Sequence, residues 1–171
     1  MIRIALTGPE STGKTTLVHQ LASKYNSKLV QEYAREYLKS KSGYKREDLL
    51  KIAKGQYQSI LDATSDGIVF IDTDLLVVKI WSFEKYGECD SEIERLYSSL
   101  KIDFYLLTYP DLAWKNDPLR ESKNELLLLY RVYKRELDKV GVPYKVITGQ
   151  GNTRLINAVE FVNKFIASIK E

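Results

Sequence analysis

Cysteine is almost missing from this sequence of 171 residues: Cys89 is the single one. An intrachain disulfide is therefore excluded. With no second cysteine or partner histidine near "YGECDSE", the thiol reads as incidental, and a cytoplasmic location follows as the default. Histidine is equally scarce. His19, the only one, lies four residues past Thr15, and a lone helical histidine reads as a surface or packing residue. Metal centres and His-based nucleophiles are left without support. No apolar run approaches the ~20 residues of a membrane span, and "MIRIALTG" lacks the features of a signal peptide. Nor does one charge dominate. The 26 basic and 23 acidic residues give a net charge of +3, too small and too interspersed to argue for nucleic acid.

What is present is alternation. Short β-rich runs at 2–7, 28–31, 67–72, 103–108 and 144–148 are separated by helical patterns at 14–25, 32–39, 46–64, 75–86, 92–100, 123–140 and 153–169. The third and fourth runs are nearly continuous in apolar residues, as in strands covered on both faces. Strand–helix alternation with short connections predicts an α/β fold of three layers, a five-stranded parallel sheet flanked by helices. The length fits one domain over 1–171.

A moderately specific pattern, sharpened by its context, is "GPESTGKTTL", which follows the first strand and opens the first helix. It fits G-x-x-x-x-G-K-[ST], so the expected architecture is a P-loop NTPase fold. Gly8 and Gly13 permit the backbone angles that turn successive N–H groups toward phosphate, with Glu10, Ser11 and Thr12 between them and Thr16 just after. The helix N-terminus favours an anion. Lys14 reaches the terminal phosphates, and the Thr15 hydroxyl is a ligand for Mg²⁺.

Chemistry in an open parallel sheet gathers at the C-terminal strand ends. The second run leads into "QEYARE", which puts Glu32, Tyr33, Arg35 and Glu36 at that rim. The third ends in "IDTD". Asp72, directly after an apolar run, has the position of a carboxylate that holds the Mg²⁺–water shell; Asp74 is either a site residue or the cap of the next helix, or both. Glu32 is placed to meet a substrate hydroxyl as general base, the alternative being that it and Glu36 simply favour a helix N-terminus. Arg35 pairs with phosphate or with a carboxylate. Most of the 12 tyrosines read as packing, with Tyr57 and Trp81 as candidates to stack on a planar ring. The polar segment "TYPDLAWKNDPLRESKNE" reads as a lid over about 109–123, with Arg120 stabilising charge on a transferring phosphoryl group and Asp117 orienting Arg120 or the substrate, the alternative being a plain surface loop with a solvated arginine. "TGQGNTRL" is either a loop meeting a nucleotide base or ordinary turn chemistry.

"GPESTGKTTL", "QEYAREYL", "FIDTDLL" and "AWKNDPLRE" together resemble the ribosylnicotinamide kinase domain of the NadR family, over nearly the whole chain. The resemblance implies ATP and Mg²⁺ as cofactors and phosphorylation of the 5′-hydroxyl of nicotinamide riboside to nicotinamide mononucleotide. It implies Lys14 and Thr15 on ATP–Mg²⁺, Glu32, Asp72 and Asp74 at the metal and substrate end, and Arg120 as the lid arginine. Members of that family usually carry an adenylyltransferase domain before the kinase, and some a DNA-binding module. Here the kinase portion alone is expected, with a nucleoside-like small molecule as partner and no role in transcription. Another nucleoside or small alcohol as acceptor, a non-transferring P-loop ATPase switch, and a non-catalytic metabolite sensor are the competing readings.

Overall fold

A computed structural model describes residues 1–115 and 125–169. The described residues form β1 (Ile2–Thr7), α1 (Lys14–Lys24), β2 (Lys28–Val30), α2 (Tyr33–Leu38), α3 (Arg46–Asp62), β3 (Ile68–Asp72), α4 (Leu75–Tyr86), α5 (Ser91–Ser99), β4 (Phe104–Thr108), α6 (Leu126–Val140), β5 (Tyr144–Ile147) and α7 (Gly151–Ser168). All five strands are parallel, in the order β2-β3-β1-β4-β5. The α/β sheet expected from the alternation is therefore present, with helices on both faces.

Strand alternation sorts the core into two layers. Ile4 and Leu6 of β1, with Phe104 and Leu106 of β4, pack on Leu17 and Leu21 of α1 and on Ala158 and Val162 of α7. Ala5, Tyr105 and Leu107 face the opposite way, toward α3, α4 and α6. β4 is buried along its whole length, which explains its unbroken apolar run.

Element ends depart from the sequence expectation by a few residues. α5 begins at Ser91 because the Asp90 side chain accepts the Glu92 N–H at 2.8 Å, an N-cap that stops the chain from extending. α7 begins two residues earlier than its apolar spacing suggested, since Gly151 and Asn152 form its exposed first turn. The expected start of the sixth helix, 123, lies outside the described residues, and α6 is described from Leu126.

The chain order reverses at β1, with β2 and β3 on one side and β4 and β5 on the other. That is the position at which the strand ends of an open parallel sheet leave a crevice. The register aligns Leu6 with Asp72 and Val30 with Ile71, so the phosphate loop, Asp72 and the segment carrying Glu32 leave the sheet side by side.

Candidate active site

Between β1 and α1 the chain makes the tight loop its glycines require. Gly8 has φ 131°, and a Cβ there would lie 2.7 Å from Thr108 Oγ1 and 2.8 Å from the Thr108 carbonyl. Gly13, at φ 76°, is the N-cap of α1. Thr12 is buried and anchors the loop: its hydroxyl donates to the Pro9 carbonyl at 2.7 Å and shares a 2.6 Å hydrogen bond with Thr108 Oγ1. Lys14 Nζ donates to the Gly8 and Pro9 carbonyls at 2.9 and 2.7 Å. Ser11 Oγ accepts the Lys115 N–H at 2.8 Å, which ties the loop to the segment after β4. The first turn of α1 leaves its N–H groups without intrahelical partners and carries the positive end of the helix dipole, so this loop is built for an anion.

Across the loop stand two carboxylates. Glu32 occupies the N-cap position of α2, and Arg35 Nε lies 3.4 Å from its Oε2. Burial pushes the Glu32 carboxyl above its ordinary value against the pull of Lys14, while Asp72 adds to the rise. Asp72, the last residue of β3, is likewise raised by burial and held back by a hydrogen bond from Thr15 and by the charge of Lys14. Its Oδ1 is buried with no hydrogen-bond partner. Glu32, Asp72, Lys14 and Thr15 thus share one electrostatic site.

The expected residues do not all meet there. Gly8, Glu10, Ser11, Thr12, Gly13, Lys14, Thr15, Thr16, Glu32 and Arg35 line a single cavity of about 750 Å³. Asp74 does not: it sits at the N-cap of α4, fully buried, and its Oδ2 accepts the Tyr105 hydroxyl at 2.5 Å. Burial pushes its carboxyl up to about 6, with the Tyr105 hydroxyl pulling it back. Tyr33 also faces away from the cavity. Its ring stacks on Tyr37 at 6.1 Å between centroids and fills the space where a Cβ on Gly55 would be. Tyr57 pairs with Ser99 instead. Trp81 lies on the cavity wall with Val77, Ile80, Glu84 and Lys85, one helical stripe of α4. His19 is exposed on α1. From the expected lid, Leu112, Ala113 and Lys115 line the cavity; Arg120 and Asp117 lie outside the described residues.

Two side chains at this site escaped the sequence reading. Gln56 of α3 is 2% exposed. Its Oε1 accepts the Tyr33 N–H at 2.7 Å and its Nε2 donates to the Thr73 carbonyl at 3.1 Å. It therefore joins the segment just after Glu32 to the residue between Asp72 and Asp74, where Thr73 holds φ 64°. A signal for it was available, because a glycine inside a helix usually has a packing reason and Gly55 precedes it. Arg154 of α7 is 4% exposed and lines the same cavity. Its spacing of four from Ala158 and eight from Val162, both buried, marks that face as the inner one.

The sequence and the fold are similar to those of known proteins. A family model described as an AAA domain matches residues 3–154. The trifunctional NAD biosynthesis/regulator protein NadR of Escherichia coli (strain K12) is 32% identical over 124 residues, covering 68% of this chain and 30% of that protein. A solved structure of NadR protein in complex with NR has a TM-score of 0.80 at 26% identity, covering 96% of this chain and 51% of that one. The NadR protein in complex with NAD and AMP-PNP gives 0.77 at 25% identity, covering 96% and 49%. The chain thus spans about half of those solved chains and less than a third of the curated relative. Among the described residues, no helix is long and apolar enough to cross a membrane.

Proposed function

The chain belongs to the AAA-domain family, and from that premise we propose that residues 1–171 act as one ATP-dependent nucleoside kinase domain that phosphorylates the 5′-hydroxyl of nicotinamide riboside to nicotinamide mononucleotide. The observation that carries this reading is a phosphate loop and Glu32 facing each other across one cavity, with the buried Asp72 behind them, coupled to Glu32, Lys14 and Thr15. The NadR chains of like fold, one with NR and one with NAD and AMP-PNP, support the choice of ligands.

Each residue then has a task. The backbone of 8–13 and the N-terminus of α1 cradle the ATP phosphates, with Glu10, Ser11, Thr12 and Thr16 completing the wall and Lys14 neutralising the charge that moves. Glu32 accepts the proton of the acceptor hydroxyl. Burial keeps it more basic than an ordinary glutamate, which suits that role. Arg35 orients Glu32, Arg120 is assigned to the transferring phosphoryl group, and the α4 stripe with Trp81 forms the acceptor wall. Thr15 and Asp72 fit Mg²⁺: the buried Asp72 Oδ1 lacks a protein partner, and Mg²⁺ bound with nucleotide takes few protein ligands. When bound, the ion would polarise the phosphate oxygens. The reading also places the protein in the cytoplasm, consistent with its single cysteine.

The test is an assay with ATP, Mg²⁺ and a panel of nucleosides and small alcohols, including nicotinamide riboside. Nicotinamide mononucleotide is the expected product, and Glu32→Gln lowers kcat by about 100-fold or more. Absence of product with every acceptor would sink the kinase reading. Undiminished turnover by Glu32→Gln would remove that residue as the base.

A further inference from the structure

The guanidinium of Arg154 is committed on every side but one. Nη1 donates to Asp111 Oδ1 and to the Gly149 carbonyl, both at 2.7 Å. Nη2 donates to the Thr12 carbonyl at 2.9 Å and the Tyr109 carbonyl at 3.0 Å. One side chain therefore joins three segments: the phosphate loop, the stretch after β4 and the β5–α7 turn. Asp111 doubles the joint. Its Oδ2 accepts the Gly149 N–H at 2.7 Å, and its carbonyl accepts Gln150 Nε2 at 3.1 Å. Both backbone polar groups of Gly149 are thus held by this one ion pair.

A buried ion pair is weak evidence for stability, since apolar residues of similar volume often do as well. Its directional contacts argue for placement instead. The parts it places, Gln150 and Gly151 beside Leu112, line the cavity on the β4–β5 side of β1, opposite the Glu32 side. We infer that Arg154 and Asp111 are positioning residues that set the base-reading edge of the nucleotide site and thereby its choice among nucleoside triphosphates. The inference rests on the nucleotide reading above and deepens it. Adenine and guanine present opposite donor and acceptor patterns at their six-membered edge, so a fixed backbone edge suits only one of them. Discrimination of this kind is steep because the wrong base leaves polar groups unpaired, and a displacement of ~1 Å is enough to lose much of it. The phosphate loop keeps anchors besides the Arg154 contact to the Thr12 carbonyl, namely Thr12 to Pro9 and Thr108, and the contacts of Asp111 are to Gly149, Gln150 and Arg154, so Asp111→Asn loosens the clamp and spares the phosphate cradle.

The experiment is calorimetric titration of the full chain with Mg²⁺–AMP-PNP, Mg²⁺–GMP-PNP and inorganic tripolyphosphate, for the wild type, Arg154→Lys and Asp111→Asn. Asp111→Asn removes one acceptor from a half-buried position and keeps the test open if Arg154→Lys fails to fold. The wild type is expected to prefer the adenine nucleotide. The variants should bind AMP-PNP about 10- to 100-fold more weakly, with the adenine-to-guanine ratio collapsing and, for Asp111→Asn, tripolyphosphate affinity within about two-fold. An unchanged ratio overturns the inference, as does equal loss of all three ligands, which marks a merely structural pair. A wild type that binds no nucleotide, or both equally, overturns it as well. Retained adenine preference without phosphoryl transfer would sink the kinase reading and leave this inference standing.

Discussion

Asp74 lies two residues past the end of β3, yet its carboxylate is turned into the core against Tyr105, with Oδ1 left unpartnered. Burial moves it from the ordinary 3.8 to about 6. The sign of the consequence is fixed. Between those two values the folded chain binds the extra proton, so stability falls as pH rises through that window and is level above it. The size is about 3 kcal/mol, at roughly 1.4 kcal/mol for each pH unit of separation. In metal-free buffer, Asp74→Asn should therefore gain on the wild type by about 2–3 kcal/mol between about pH 4 and about pH 7.5, read as denaturation midpoints at both. A difference that does not change with pH would contradict a buried, titrating Asp74. The cap position of Asp74 was one of the two readings open for "IDTD", but its direction was not legible, because only the αL turn at Thr73 decides that Asp72 faces Lys14 and Thr15 while Asp74 faces Tyr105.

At the scale of elements, the site depends on how α3 grips the two rim segments. Gln56 is the staple, and Gly55 allows α3 to approach Tyr33 so closely that a Cβ would stand 2.2 Å from its ring. Gln56→Leu keeps the approximate shape but leaves the Tyr33 N–H and the Thr73 carbonyl unpaired in a buried place. The expected cost is about 3 kcal/mol in urea unfolding, together with a fall in kcat, because Glu32 and Asp72 adjoin those two groups. Loss of stability with full kcat would show that the staple holds the fold and not the carboxylates. Strands and helices were legible because apolar period and continuity report burial on one or both faces, and the phosphate loop because its glycines have a steric cause. Asp111 was not, since a polar residue on a loop ordinarily reads as solvated and only long-range contacts bury it, while Gln56 and Arg154 left just the indirect signals of a helical glycine and of a spacing to buried neighbours. The same limit applied to Tyr33, whose rim position was read correctly while its ring proved to face α3.

Over the whole molecule, the cavity draws its walls from residues as far apart as Gly8 and Arg154, and every strand but β3 is followed directly by a wall segment. A ligand seated there bridges both sides of β1, so its binding energy adds to global stability rather than to one loop. For nucleotide at about 100 times its Kd the linkage is about 2.7 kcal/mol. In a chain of this size, each kcal/mol raises Tm by roughly 2–4 °C. Mg²⁺–AMP-PNP is thus expected to shift the melting transition up by about 5–10 °C as one cooperative step, and nicotinamide riboside to shift it further when both are present, because Glu32 and the α4 stripe face the same space. Scanning calorimetry with each ligand alone and with both reads this directly. A nucleotide that binds in titration yet leaves the melt unchanged would mean that the walls fold independently of one another. Additive shifts from the two ligands would mean separate sites, whereas a shift larger than the sum would mark two ligands that complete one cavity.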